Sequence, residues 1–265
     1  INDLKLSGYF RILPEAIFKQ HAKHEGQSID SIRFSYWTTL ETQALIKGEV
    51  SKEKDLYIIN LKMFDPYIPQ MLVGKEYRVG KAQLRDAVHQ FANEIMKALT
   101  GRYGVFNTQI AYTGIMKRNR KNIFVMDMDG ARKKQITRYK NSSFSPSWSP
   151  NGKKIVFTSY LHGQPDIYTI GKNGKGLRRL TNGVGAKITP TWSPSGKNIA
   201  FSSTVNGEAE IFIMSAEGKR HRRITDALGI DLAPEFSPDG QKIVFASEMA
   251  GDLHLFKANL NGGPL

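Results

Sequence analysis

His21 and His24 stand three residues apart, a spacing that brings two imidazoles to one side of a helical turn and suits a metal ion. No third ligand is in view, and the chain has no cysteine to supply a thiolate, so no metal site is expected. Calcium would call for acidic residues clustered as Asp-Xaa-Asp-Xaa-Asp, and none are. The stretch GKNGKG, with Gly171, Gly174 and Gly176, has the composition of a loop that cradles phosphate on backbone N–H groups. The same position one repeat later reads SAEGKR, which makes a hairpin turn the better reading. The chain carries no Gly-Xaa-Ser-Xaa-Gly elbow, no His-Glu-Xaa-Xaa-His and no phosphate loop ending Gly-Lys-Ser or Gly-Lys-Thr. With no nucleophile, base or cofactor fingerprint, the residues support no chemistry, and no cofactor is expected.

The elements that would position binding residues announce themselves by repetition. PSWSPNGKKIVFTS from Pro146 returns as PTWSPSGKNIAFSS from Pro190 and PEFSPDGQKIVFAS from Pro234, a period of 44 residues. NIFVMDMDGARKKQIT from Asn122, DIYTIGKNGKGLRRLT from Asp166 and EIFIMSAEGKRHRRIT from Glu210 keep the same step, and HLFKANLNGG from His254 begins another copy. Such self-similarity signals a solenoid, propeller or array. The short β-branched and aromatic runs, bounded by Asn-Gly, Ser-Gly, Asp-Gly and Glu-Gly pairs, exclude helical repeats and predict four antiparallel strands per unit, one propeller blade. Pro150, Pro194 and Pro238 each precede Gly152, Gly196 and Gly240 by two residues, where proline sets φ and glycine takes φ > 0. The aromatic residues Trp148, Trp192 and Phe236 are expected to pack between neighbouring blades.

Composition sets outer limits. The 265 residues suffice for two domains, and no apolar run approaches the roughly 18 residues of a membrane-spanning helix. The net charge of +14 invites a nucleic-acid surface. Much of the excess, however, falls on Arg132, Lys133, Lys134, Arg178, Arg179, Lys219, Arg220, Arg222 and Arg223, beside the outermost strand of successive blades, where charge discourages edge-to-edge association. No nucleic-acid partner is therefore expected.

Residues 1–103 lack the 44-residue echo and read as a separate α/β domain, with the partial propeller over 104–265. Strands are expected at Phe10–Leu13, Ala44–Ser51, Asp55–Asp65 and Met71–Val79. A helix from Lys81 to Leu99 follows, its apolar stripe drawn by Leu84, Val88, Phe91, Ile95 and Leu99, with Gly101 as its stop. The fold class is thus α+β, two-domain: a small α/β amino-terminal domain followed by a β-propeller.

LRDAVHQFANEIMKALTGRYGVFNTQIAYTG, from Leu84 to Gly114, followed by the Trp-Ser-Pro-Xaa-Gly blades, resembles the TolB family of the Tol-Pal system, and LSGYFRIL from Leu6 and WTTLETQALIKGEV from Trp37 resemble that family's amino-terminal domain. The likeness covers essentially the whole chain. The blade motif alone is shared with many propellers, including those fused to serine peptidases, so a regulatory or interaction propeller of a peptidase-like protein is the alternative. The resemblance implies a non-enzymatic periplasmic protein that binds the peptidoglycan-associated lipoprotein Pal at the mouth of the propeller and contacts TolA through an amino-terminal peptide. It also implies a part in outer-membrane integrity and cell division. Such a propeller has six blades, whereas this sequence holds about three and a half and lacks the TolA-binding peptide. A fragment, a partial chain or a half-ring completed by another copy is expected.

Blade geometry places recognition in two sets of loops emerging at one face, and these are the segments that differ between copies. The first set is Tyr139–Ser143, Asn182–Ile188 and Asp226–Leu232; the second is Tyr160–Gln164, Val205–Glu208 and Glu248–Asp252. With the implied partner, Pal is expected to meet Tyr139, Lys140, Tyr160, His162, Asn182, Lys187, Asp226, Ile230 and Asp231.

Overall fold

A computed structural model describes residues 2–22, 25–205, 207–226 and 229–260. His24 lies outside the described residues, as do Asn206, Ala227, Leu228 and 261–265. Compactness divides the chain into one unit of residues 1–109 with 127–131 and a second of 110–126 with 132–265.

In the first unit, β1 (Leu45–Glu53), β2 (Leu56–Asp65) and β3 (Gln70–Val79) form an antiparallel meander in that order. β1 and β2 form a hairpin in which Glu53 pairs with Leu56 across the turn at Lys54–Asp55, so β1 runs two residues beyond the expected Ser51. Short helices α1 (Asn2–Leu6), α2 (Glu15–Ala22) and α3 (Phe34–Thr39) precede it, and α4 (Leu84–Thr100) follows. Gly101 ends α4 at φ 76°, its N–H donating to the Lys97 carbonyl, the left-handed stop the sequence predicts. The buried face of α4 runs through Ala87, Phe91, Ala92, Ile95 and Met96, while Val88 and Leu99 are exposed. The apolar stripe read from the sequence is therefore rotated: Ala92 and Met96 join Phe91 and Ile95 in one core with Met63 and Phe106, and Val88 and Leu99 stay outside it.

Phe10–Leu13 is not a strand. Phe10 and Ile12 pack on the α4 core as an irregular segment that stops at Pro14, a residue with no N–H to lend a ladder. A second small core gathers Ile32, Trp37, Leu45 and Phe64. It is closed by Glu25, which accepts hydrogen bonds from Lys47 Nζ at 2.8 Å, Trp37 Nε1 at 3.0 Å and the Arg33 N–H at 3.2 Å. Burial alone pushes this carboxyl up, but the Lys47 and Trp37 hydrogen bonds and the Lys47 charge more than offset it and hold it below its ordinary 4.5. A depressed carboxylate contributes stability that is complete above the unfolded-state value and fades as pH falls through the folded one. Urea titrations of the wild type should accordingly show the first unit weakening below about pH 4.5. Glu25→Gln should lose about 1.5–3 kcal/mol at pH 7 and flatten that acid limb.

The second unit is a series of antiparallel sheets. Three strands, β4 (Gln109–Ile115), β5 (Lys121–Asp127) and β6 (Lys134–Gln135), form the first blade. The next has four: β7 (Ser143–Trp148), β8 (Lys154–His162), β9 (Gln164–Gly171) and β10 (Arg178–Arg179). The third repeats them as β11 (Lys187–Trp192), β12 (Asn198–Val205), β13 (Glu208–Ser215) and β14 (Arg222–Arg223). The fourth holds β15 (Asp231–Phe236), β16 (Lys242–Ala250) and β17 (Asp252–Asn259) among the described residues. The innermost strands β7, β11 and β15 are bulged at the same repeat position, with Ser145, Thr189 and Ala233 at φ 50°, 50° and 52°. A proline follows each, and since proline cannot donate to the ladder, the pairing must break there.

Blades stack through shared cores. Ile123 and Val125 of the first pack with Ile155 and Phe157 of the second, and Val156 and Ile167 with Trp192 and Phe201. Ala200 and Ile211 pack with Phe236 and Phe245. The aromatic positions at 148, 192 and 236 thus sit at the blade interfaces, as their repetition implies. Gly152, Gly196 and Gly240 take φ 64°, 69° and 69° in the expected turns.

Within the first three blades, a threonine on the outer segment ties the neighbouring strand in place. Thr137, Thr181 and Thr225 Oγ1 accept from the N–H of Ile123, Ile167 and Ile211 and donate to Asn122, Asp166 and Glu210. In the second and third blades Arg179 and Arg223 complete the lock on Asp166 and Glu210, and their guanidinium pKa values rise with that hydrogen bond. Arg178 and Arg222, 44 residues apart, donate across to the Glu217 and Leu260 carbonyls of the next blade. Four of the basic outer-strand residues therefore serve blade cohesion.

Candidate functional site: the loop end of the blades

The two sets of variable loops meet within each blade. Tyr160 N donates to the Ser142 carbonyl at 3.0 Å, Thr204 N to Ala186 at 2.9 Å and Glu248 N to Ile230 at 3.3 Å. These bonds recur every 44 residues, so the loop entering a blade is fixed to the hairpin of that blade at every step. Gly185, at φ 87°, lies so near Thr204 that a Cβ would stand 2.3 Å from its carbonyl oxygen, which is why this loop needs a glycine. The result is a row of loop pairs with fixed mutual register.

The nine candidate residues divide by burial. Lys140, Asn182, Tyr160, His162, Asp226 and Ile230 are exposed. Tyr160 leans on Phe144 with centroids 6.0 Å apart, and His162 Nδ1 lies 2.7 Å from the Tyr168 hydroxyl, its ring stacked on that tyrosine. Asp226 pairs with Arg223 at 2.7 Å. Tyr139 is half-buried against the core between the first two blades, and burial raises its phenol pKa.

Lys187 and Asp231 are buried, contrary to a surface role for their side chains. Lys187 Nζ donates to the carbonyls of Gly183, Val184 and Gly185 at 2.8–2.9 Å and stands 4.0 Å from Asp166, so it holds its own loop closed from within. Burial lowers its pKa, against the opposing pull of Asp166. Asp231 occupies the same position one repeat on, 1% exposed, and its Oδ2 has no hydrogen-bond partner. At the tip of the loop closed by Lys187 is Val184, 94% exposed, an apolar residue presented between two positive-φ glycines. The Gly-Val-Gly triplet in a variable loop was the signal for it.

A second cluster lies in the first unit. Asp3, His89 and Asp129 each offer one ligand atom within 4.8 Å of the others, beside an open cleft of about 620 Å³. His24 and the side chain of His21 lie outside what is described.

Two family models match different parts of the chain. A model of the TolB amino-terminal domain matches residues 1–70, and one of the TolB beta propeller domain matches residues 96–265. The chain belongs to the TolB family. Among its relatives, the Tol-Pal system protein TolB of Syntrophotalea carbinolica is 33% identical over 154 residues, 58% of this chain and 36% of that protein. The Tol-Pal system protein TolB of Nitrosococcus oceani is 32% identical over 171 residues, 63% of this chain and 38% of that protein. The matches thus span well under half the length of these relatives. The crystal structure of TolB from Acinetobacter baumannii superposes with a TM-score of 0.83 at 26% identity, covering 91% of this TolB-family chain and 61% of that one. A putative TolB from Agrobacterium tumefaciens shares the fold at a TM-score of 0.55 and 21% identity.

Proposed function

We propose that this chain carries the partner-binding loop end of a non-enzymatic, periplasmic Tol-Pal system protein, and that the lipoprotein Pal docks on it. Through that contact the protein contributes to outer-membrane integrity and cell division. The observation that carries the reading is the repeated loop-to-hairpin hydrogen bond, which holds variable, exposed side chains on a pre-organised row. Tyr160, Val184 and Ile230 supply apolar contact, with Lys140, Asn182 and Asp226 as a polar surround. TolA contact is assigned to no residue present here.

Calorimetric titration of the soluble domain of Pal into the protein tests this. The wild type should bind, and Tyr160→Ala combined with Val184→Asp should weaken binding by about tenfold or more, the scale of losing a hot spot. Lys187→Ala should act differently, through loop shape, and be accompanied by lost stability. No binding to the folded wild type, or unchanged affinity in the Tyr160/Val184 double variant, would overturn the assignment.

A further inference from the structure

The cluster in the first unit joins three distant segments: Asp3 on α1, His89 on α4 and Asp129 in the turn that follows β5. His89 is 5% exposed at its side chain. Its Nδ1 lies 2.5 Å from Asp3 Oδ2, and in the neutral imidazole that donates Nδ1–H to this carboxylate the lone pair is on Nε2. Nε2 is buried without a hydrogen-bond partner and faces Asp129 Oδ2 at 4.0 Å. An imidazole held from behind by a carboxylate, with its free nitrogen aimed at a second carboxylate, is the arrangement in which proteins present histidine to a metal ion.

We propose that His89 Nε2 and Asp129 form a site for a divalent transition-metal ion of the zinc type, with Asp3 as the orienting carboxylate. One imidazole nitrogen and carboxylate oxygen suit such an ion better than calcium or magnesium, which prefer all-oxygen shells. Ligand atoms about 2.1 Å from a common zinc lie roughly 3.4 Å apart in a tetrahedron, so the 4.0 Å gap closes by well under an ångström of side-chain movement. The cleft, bounded also by Asn2, Leu84, Val88 and Gly130, gives water access to the remaining positions. Arg85 is the competitor. Its guanidinium contacts Asp129 Oδ2 and lies 3.6 Å from Asp127, and at 41% side-chain exposure it has room to swing away. The site is weak or strong according to how far Arg85 yields. This inference is independent of the loop-face reading, since it concerns residues of the other unit.

Titration of the metal-free protein with Zn²⁺, and with Co²⁺ followed by its visible absorption, tests it. One equivalent should bind, with a histidine nitrogen detectable in the X-ray absorption of the bound metal. His89→Gln and Asp129→Asn should abolish that equivalent, and Asp3→Asn should weaken it about 10–100-fold. Arg85→Gln should tighten it, an outcome that a purely ionic cluster does not produce. Circular dichroism checks that each variant is folded, and Arg85→Gln with the wild type keeps the test decisive if His89→Gln is not. Absence of binding to both wild type and Arg85→Gln, or binding unaltered in a folded His89→Gln variant, would overturn the proposal. The latter outcome would put the metal on other histidines.

Discussion

Asp166→Ala should lower the stability of the blade unit by about 3 kcal/mol, toward the lower end of the range for breaking a buried ion pair because Arg179 is partly exposed. The carboxylate itself is 1% exposed at its side chain and serves three groups: Thr181 Oγ1 at 2.8 Å, Arg179 Nη2 at 2.5 Å and the Lys187 ammonium at 4.0 Å. Removing it strands a buried hydroxyl and leaves the buried ammonium of Lys187 without its counter-charge. An exposed pair such as Lys19–Glu15, at 3.1 Å, should by comparison change stability by less than about 1 kcal/mol when broken. The first blade contains the control. There Asn122 accepts from Thr137 at 3.0 Å and Gln135 takes the place of arginine, donating to the Thr137 carbonyl at 2.8 Å. Asp166→Asn with Arg179→Gln imports that neutral lock and should recover most of the loss in urea unfolding. A double variant as unstable as Asp166→Ala would show that the charge, and not the hydrogen-bond geometry, holds the blade.

Phe201→Ala should cost about 3–5 kcal/mol, the range for emptying a large aromatic from a rigid core. Phe201 is 1% exposed and stacks on Phe212 at 6.0 Å, with His221 edge-on at 5.8 Å. It also touches the core that joins the second and third blades, so the cavity would open where neither sheet can collapse alone. Phe201→Leu keeps most of the volume and should lose less than about 1.5 kcal/mol. Tyr160→Ala, at a residue 40% exposed, should stay within about 0.5 kcal/mol. Urea denaturation of the three variants checks the order, and a Phe201→Ala loss below that of Phe201→Leu would contradict the interface core.

The blades were legible because their instructions are local and copied. The threonine, its Asn, Asp or Glu acceptor and its isoleucine partner lie at offsets of 14 and 15 residues in three copies, and turn glycines and bulge prolines recur along the blades. The amino-terminal unit was legible only in part. Its hairpin and α4 are strong local patterns, but Phe10–Leu13 alternates apolar residues as a strand does while finding a helix face and no sheet edge to meet. Val88 and Leu99 have helical spacing and end up exposed, because the width of the partner surface decides how much of a stripe is covered.

By itself, then, the sequence determined the 44-residue blade, its strands and turns, the two-part organisation and the loops that vary, since each depends on residues close together in the chain. Only the tertiary structure decided which loop side chains face outward. Lys187 and Asp231 sit in variable segments yet are buried, because what covers a strand's first residue is a neighbouring segment brought close by folding. It alone, too, brought Asp3 to His89 across 86 positions and set Asp129 against them, a juxtaposition no spacing rule contains because its three residues belong to elements that meet only when the unit packs.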